Sequence, residues 1–289
     1  MKRCLLVYLS LRGTTEKTAV AIARGLSSAG YRADLCNMAI ESPPGLEGYD
    51  LLGIGSPAHY FRLPFNISDY LDVMRPLDGL PFFSFMLYGS HPGEAGNLLR
   101  KALSGNGGRE VGYFRCRGAD YYQGYLQEGY LFSPDNPVPE ELAAAERFGG
   151  KTAAVLSGAE TYTPPPFDPP MELIFRIERS LASRGLVRAV YIRLFRVDRS
   201  RCEACGQCMS GCPTGNISAD GEGRPVWGQN CLLCLYCQMQ CPGEAISTPI
   251  NWRVFRTILG YNIAHSLGDP SVEYVRVIHR RGETRREGS

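Results

Sequence analysis

Eight of the eleven cysteines in this 289-residue chain repeat one spacing. Cys202, Cys205, Cys208 and Cys212 run into Pro213, and Cys231, Cys234, Cys237 and Cys241 run into Pro242. Each copy reads C-x2-C-x2-C-x3-C-P. Thiolates are soft ligands, suited to zinc or to iron–sulfur clusters. Zinc sites usually pair C-x2-C units across a longer stretch. Two runs of three closely spaced cysteines plus a Cys-Pro fit cubane iron–sulfur clusters better, and that chemistry moves electrons one at a time. Each proline turns the chain away from the site, because a fixed φ and a missing N–H disfavour helix continuation.

The double run resembles that of bacterial two-cluster ferredoxins. In that pattern the fourth cysteine of each run completes the other cluster. The resemblance therefore implies one [4Fe–4S] cluster on Cys202, Cys205, Cys208 and Cys241, and another on Cys231, Cys234, Cys237 and Cys212. Small residues beside the ligands (Gly206, Ser210, Gly211, Gly243) leave backbone N–H groups near sulfur, where hydrogen bonds tune potential.

The first half of the chain carries a different pattern. An apolar run, Arg3 to Leu9, leads into Ser10-Leu11-Arg12-Gly13-Thr14-Thr15, and Ala19 to Leu26 then has helical periodicity. A helix start offers unpaired N–H groups to a phosphate, with hydroxyls as further donors. The lysine and spacing of a nucleotide-triphosphate loop are missing. Two more strand–loop units follow. Asp50 to Gly55 runs into Ser56-Pro57-Ala58-His59-Tyr60-Phe61, and Phe82 to Leu87 into Tyr88-Gly89-Ser90-His91-Pro92-Gly93.

These three loops resemble the flavin loops of flavodoxins. Ser10, Gly13 and Thr15 match the phosphate turn, while Arg12 and Thr14 replace the usual Thr and Asn. The resemblance implies an α/β doubly wound parallel sheet of order 2-1-3-4-5, with FMN where the strand order reverses. The expected FMN contacts are Ser10, Arg12, Gly13, Thr14, Thr15, Ser56, Pro57, Ala58, His59, Tyr60, Phe61, Tyr88, Gly89, Ser90 and Gly93. Tyr60 is the candidate to stack on the ring, and His59 or His91 to donate to it. No acid–base pair suggests a catalytic residue.

Length and 44% hydrophobic content allow about two domains. The expected division is a flavodoxin-like domain (1–160), a Pro-rich linker and connecting helix (161–197), a small α+β ferredoxin domain (198–250) and a C-terminal extension (251–289). Residues 118–132 suit an ordered insertion with a small core of its own, or aromatics that cover the flavin or face the cluster domain. A short helix from Leu173 is expected to close at Gly185, and residues 280–289 to be disordered. Cys4, Cys36 and Cys116 read as buried apolar residues. No stretch is long and apolar enough to span a membrane. Free thiols without a leader point to the cytoplasm.

Net charge is only +2, yet eight arginines lie between Met171 and Arg201 against three acids. Such a segment reads as a solvated surface or as a docking face for an acidic redox partner or anionic lipid. Nucleic-acid motifs are absent. Over residues 1–250 the chain resembles single-chain flavodoxin–ferredoxin fusions of anaerobic bacteria and archaea. That resemblance implies electron transfer among FMN, two clusters and a redox protein partner. The alternatives are a flavin-dependent reductase of a small molecule fed by the clusters, and a redox sensor.

Overall fold

The computed structural model describes residues 1–288 and divides into two compact units. The first comprises 1–118 and 135–175, the second 119–134 and 176–289. Ser289, at the end of the tail expected to be disordered, lies outside the described residues.

The first unit is an α/β sheet domain. Strands β1 (Lys2–Tyr8), β2 (Tyr31–Asn37), β3 (Leu51–Pro57), β4 (Pro81–Tyr88) and β5 (Arg109–Arg117) pair in parallel, in the order β2-β1-β3-β4-β5. From Cys4 onward β1 is wholly buried. This is what a continuous apolar run becomes in a parallel sheet covered on both faces. Helices α1 (Thr14–Ser28), α2 (Phe65–Val73), α3 (Ala95–Gly105) and α5 (Pro139–Ser157) connect or follow the strands. Helices α1 and α5 cross closely because two glycines face the contact. A Cβ on Gly25 would lie 1.9 Å from the Glu146 carbonyl oxygen, and one on Gly149 2.2 Å from that of Ile22. Cys4, Cys36 and Cys116 are buried. The Cys116 sulfur meets the Thr18 hydroxyl at 3.8 Å.

The Pro-rich stretch expected as a linker is tied to this sheet domain. The Asn97 amide donates to the Asp168 carbonyl and accepts from the Asp168 N–H, each at 3.0 Å. Arg100, nearly fully buried, pairs with Glu110 at 2.8 Å and also donates to the Pro165 carbonyl at 3.0 Å. Arg115 pairs with Asp168, and the Tyr162 hydroxyl donates to Glu110 at 2.8 Å. The segment is therefore a strap, held by polar groups supplied from α3 and β5.

The second unit gathers pieces from both ends of the chain. Within 119–134, α4 (Gln123–Gln127) and β6 (Tyr130–Phe132) form. Their core is shared with the C-terminal segment: Tyr125 and Phe132 pack with Leu259, Ile263 and Val272. The sheet unit runs past residue 160 to residue 175, and residues 119–134 belong to the second unit. Helix α6 (Leu173–Leu181) ends before Gly185, which lies in a further turn, Arg184–Leu186. Val187–Tyr191 and Ile192–Leu194 continue as helical turns to β7 (Arg196–Val197).

The cysteine-rich part contains only short elements. Strands β8 (Ile217–Ala219) and β9 (Pro225–Trp227) pair with each other, and β10 (Ile246–Ser247) returns to pair with β7. The helix Arg253–Gly268 follows. Strand β11 (Tyr274–Arg280) pairs with β6 on one side and with β12 (Glu283–Arg286) on the other. The tail expected to be disordered is thus a hairpin. Its two-residue turn, Arg281 and Gly282 at φ 53° and 79°, has the left-handed geometry that suits the twist of paired strands. Among the described residues, no helix is long and apolar enough to cross a membrane.

Candidate redox-cofactor sites

The backbone repeats along with the cysteines. In the first run Ala204, Gly206 and Gly215 are left-handed (φ 52°, 76°, 58°), and Leu233, Leu235 and Glu244 match them in the second (57°, 57°, 48°). Four of these six are not glycine, and left-handed backbone costs a side-chain-bearing residue of order 1 kcal/mol. Repeated departures of this kind turn successive N–H groups to one side of the chain, forming concavities that hold anions. The amides of Asn216 and Ala245 donate to Cys212 and Cys241, each at 3.3 Å, and Leu233 donates to Cys231 at 3.3 Å.

The eight thiols sort into two sets that mix the runs. Cys202, Cys205, Cys208 and Cys241 line one small cavity of about 20 Å³. Burial raises the Cys208 thiol, and Cys241, Cys205 and Cys202 raise it further. In the other set, burial pushes Cys231 up to about 11 and Cys234 up to about 12, with Cys212 adding to both. Cys237 is likewise raised by burial, then by Cys234, Cys231 and Cys212. Close, desolvated thiols cannot all ionise without a compensating cation. Among the described residues, no three Cys, His or carboxylate groups converge on a point suited to a single metal ion. The first set surrounds a cavity, and thiol chemistry with backbone N–H groups donating to sulfur fits iron–sulfur ligation.

In the sheet domain, α1 begins at Gly13, whose φ of 81° places it in the left-handed region, with nothing within 4 Å of a Cβ built there. The open space lies at the start of a fifteen-residue helix, as a phosphate requires. Ser10 and Thr15 are buried, and Arg12 and Thr14 half-buried. The Ser10 hydroxyl accepts from the Glu16 N–H at 3.3 Å. Asn37 grips the turn from β2. Its Oδ1 accepts from the Ser10 N–H and its Nδ2 donates to the Ser10 carbonyl, both at 3.1 Å. Asn37 ends β2, a strand of mixed polarity, and carries no motif, so sequence reading misses it.

The second loop closes on itself. His59 and Arg62 exchange backbone hydrogen bonds at 2.9 and 3.1 Å around Tyr60 and Phe61, both left-handed (φ 47° and 63°). The Ser56 hydroxyl donates to the Pro57 carbonyl, and the Ala58 N–H to the Leu87 carbonyl. The His59 Nδ1 is buried without a hydrogen-bond partner, and burial followed by the Arg62 charge pushes the imidazole down to about 4. An orphaned donor or acceptor in a candidate ligand loop is what a missing polar ligand leaves behind.

The third loop packs on the second. A Cβ on Gly93 would fall 2.5 Å from the Phe61 Cα, and the Glu94 N–H donates to the Phe61 carbonyl at 3.0 Å. Arg117 holds the Gly89 carbonyl at 2.8 Å and lies over the Tyr88 ring. Ser90 is buried. The rings of Phe61 and His91 pack on Phe175, at 5.0 and 4.8 Å between centroids. The structure thus brings the second and third loops together. It adds Asn37, Arg117 and Phe175 as supports that carry no local sequence signal.

Residues 194–242 match the family of 4Fe-4S dicluster domains. The chain is 28% identical over 156 residues to an uncharacterized protein of Methanocaldococcus jannaschii, covering 50% of this chain and 95% of the relative. It is 22% identical over 180 residues to an NAD(P)H dehydrogenase (quinone) of Gluconacetobacter diazotrophicus, covering 55% and 86%. Among solved structures it is similar to a flavodoxin from the domain Archaea, at 19% identity and a TM-score of 0.41, covering 54% and 99%. The sheet order and the dicluster match define a redox protein that joins a flavodoxin-like domain to an iron–sulfur domain.

Proposed function

We propose that the protein carries electrons between FMN in the sheet domain, two [4Fe–4S] clusters in the second unit and an external redox protein in a reducing compartment. The observation that carries this reading is the sorting of eight thiols into two sets, each combining three cysteines of one run with the last of the other. Cys202, Cys205, Cys208 and Cys241 would hold one cluster, and Cys212, Cys231, Cys234 and Cys237 the other. Ser10, Arg12, Gly13, Thr14 and Thr15 would receive the FMN phosphate. The loops 56–61 and 88–93 would hold the ring, with Tyr60 as the stacking candidate.

When bound, the flavin would supply a two-electron store that also exchanges electrons singly, and each cluster a one-electron store. This chain's residues would keep sulfur desolvated and hydrogen-bonded, and hold the three loops at the ends of β1, β3 and β4. A covalent link between the units keeps the two stores at high effective concentration. Anaerobic quantitation of iron, acid-labile sulfide and flavin tests the reading. The expected content is eight iron, eight sulfide and one FMN per chain, as two four-iron clusters require. Stoichiometric zinc without sulfide would refute it.

A second reading, reduction of a small molecule at the flavin, draws on the similarity to a relative named NAD(P)H dehydrogenase (quinone). Rapid reoxidation of the reduced flavin by a soluble quinone, with saturation kinetics, would favour it.

A further inference from the structure

The second unit has a cavity that neither cofactor reading uses. About 390 Å³ in volume, it opens to solvent between the turn Ile192–Leu194, β7 and the β8–β9 hairpin. Arg193, Arg196, Arg199 and Arg224 line it, with Phe195 and Trp227. The lining carboxylate, Asp220, is occupied by its own turn, accepting from the N–H groups of Glu222 and Arg224 at 2.9 Å. Arg224 pairs with Glu222. Arg196 is oriented by donating to the carbonyls of Arg193 and Phe195, at 2.7 and 3.1 Å. Arg193 and Arg199 are exposed and form no ion pair among the described residues. The cavity is therefore a strongly cationic bowl with two unneutralised forks at its rim.

Its aromatic side leads toward a cluster position. Phe195 meets Trp227 edge-on, at 5.3 Å and 79°. Trp227 packs against the small core formed by Ile217, Cys237 and Ile246. Its indole N–H is buried without a hydrogen-bond partner. A bowl that presents arginines on one side and packs toward a thiol set on the other is placed for a partner that must approach that thiol set. Guanidinium groups recognise carboxylates in paired geometry, and charge complementarity raises the rate of encounter and fixes register.

We propose that this bowl seats acidic side chains of a redox partner protein, so that the partner docks over Trp227 and the set containing Cys237. The proposal rests on the electron-transfer reading and adds to it the point of contact. One electron crosses per encounter: the reduced side loses it, the oxidised side gains it, and no bond forms or breaks. Open geometry and rim-placed arginines favour protein carboxylates over an enclosed small molecule.

The test uses the holoprotein and, as probe, a small acidic ferredoxin. Binding is measured by calorimetry at about 20 and about 200 mM salt, where screening differs strongly. Fluorescence of Trp227 is followed in a Trp252→Phe background, which leaves one tryptophan. The variant R193E/R199E should weaken binding at least about tenfold and abolish the fluorescence response. The control R109E/R147E reverses two exposed arginines of the sheet domain and should weaken it less than about threefold. Equal weakening by both pairs would overturn the proposal, since net charge alone would then explain binding. So would an unchanged Trp227 signal, displacement of the probe by millimolar phosphate, or tighter capture by anionic vesicles than by the ferredoxin. Dithionite reduction of the clusters is recorded in every variant. If reduction proceeds in every variant while R193E/R199E leaves binding unchanged, the electron-transfer reading stands and the bowl alone is refuted.

Discussion

Cys241, the last cysteine of the second run, lines the same cavity as Cys202, the first cysteine of the first run. Neighbours in space are thus drawn from opposite ends of the repeat. Cys212→Ala is expected to remove the cluster held with Cys231, Cys234 and Cys237, and to leave the one held with Cys202, Cys205, Cys208 and Cys241 in place at first. Cys241→Ala should do the converse. Iron analysis with EPR of the reduced protein checks this. Loss of the Cys202 cluster in Cys212→Ala would show that each run closes on itself.

The open start of α1 sets the second expectation. FMN should bind roughly a hundredfold more tightly than riboflavin, the worth of two charge-assisted hydrogen bonds to phosphate. Gly13→Asp should abolish that advantage, because φ 81° strains any side chain and a carboxylate would repel the phosphate. Flavin fluorescence quenching measures both, and equal affinities would remove the phosphate site.

Asn97 fastens the strap with two hydrogen bonds to one backbone unit. Asn97→Ala should cost about 1–3 kcal/mol, since the Asp168 N–H and carbonyl lose their partner. Proteolytic nicking between residues 160 and 172 should accelerate in step. Denaturant melts and timed digestion give the two readouts, and unchanged nicking would mean that Arg100 and Arg115 suffice to hold the strap.

His59 provides a pH test. Its folded-state value of about 4 lies below the ordinary imidazole range because burial, and then Arg62, disfavour the cation. Unfolding at acidic pH lets the ring take up a proton that the folded chain rejects. Stability from this group is therefore full above about pH 6.5 and falls as pH drops toward 4, by at most about 3 kcal/mol. The variant His59→Gln should show a smaller loss of Tm between pH 7 and 5 than the parent. An identical loss would mean that the ring is already solvated.

Strands β1, β3 and β4 and the eight thiols were legible because each has a local signature, an apolar run or a fixed cysteine spacing, while the strand order came from the resemblance to flavodoxins. The pairing of β6 with β11 was not, since Tyr130 to Phe132 finds its partner at Tyr274 to Arg276, far along the chain. Local periodicity carries no information about such a register. Asn37, Arg117 and Phe175 escaped for a related reason. Each acts through long-range contacts: Asn37 with Ser10, Arg117 with Gly89, and Phe175 with Phe61 and His91. Leu233, Leu235 and Glu244 gave no hint of left-handed backbone, because that conformation is imposed by the site against their own preference.

The excursion of residues 119–134 into the second unit has a practical consequence for anyone dissecting the chain. No single cut yields two complete halves. A fragment ending near residue 197 would carry Tyr125 and Phe132 stripped of Leu259, Ile263 and Val272. The complementary fragment would lack β6, exposing one edge of β11 to whatever strand it met. The two units must therefore be expressed as one piece. Shuffling in a foreign iron–sulfur module would require transplanting two separate stretches at once.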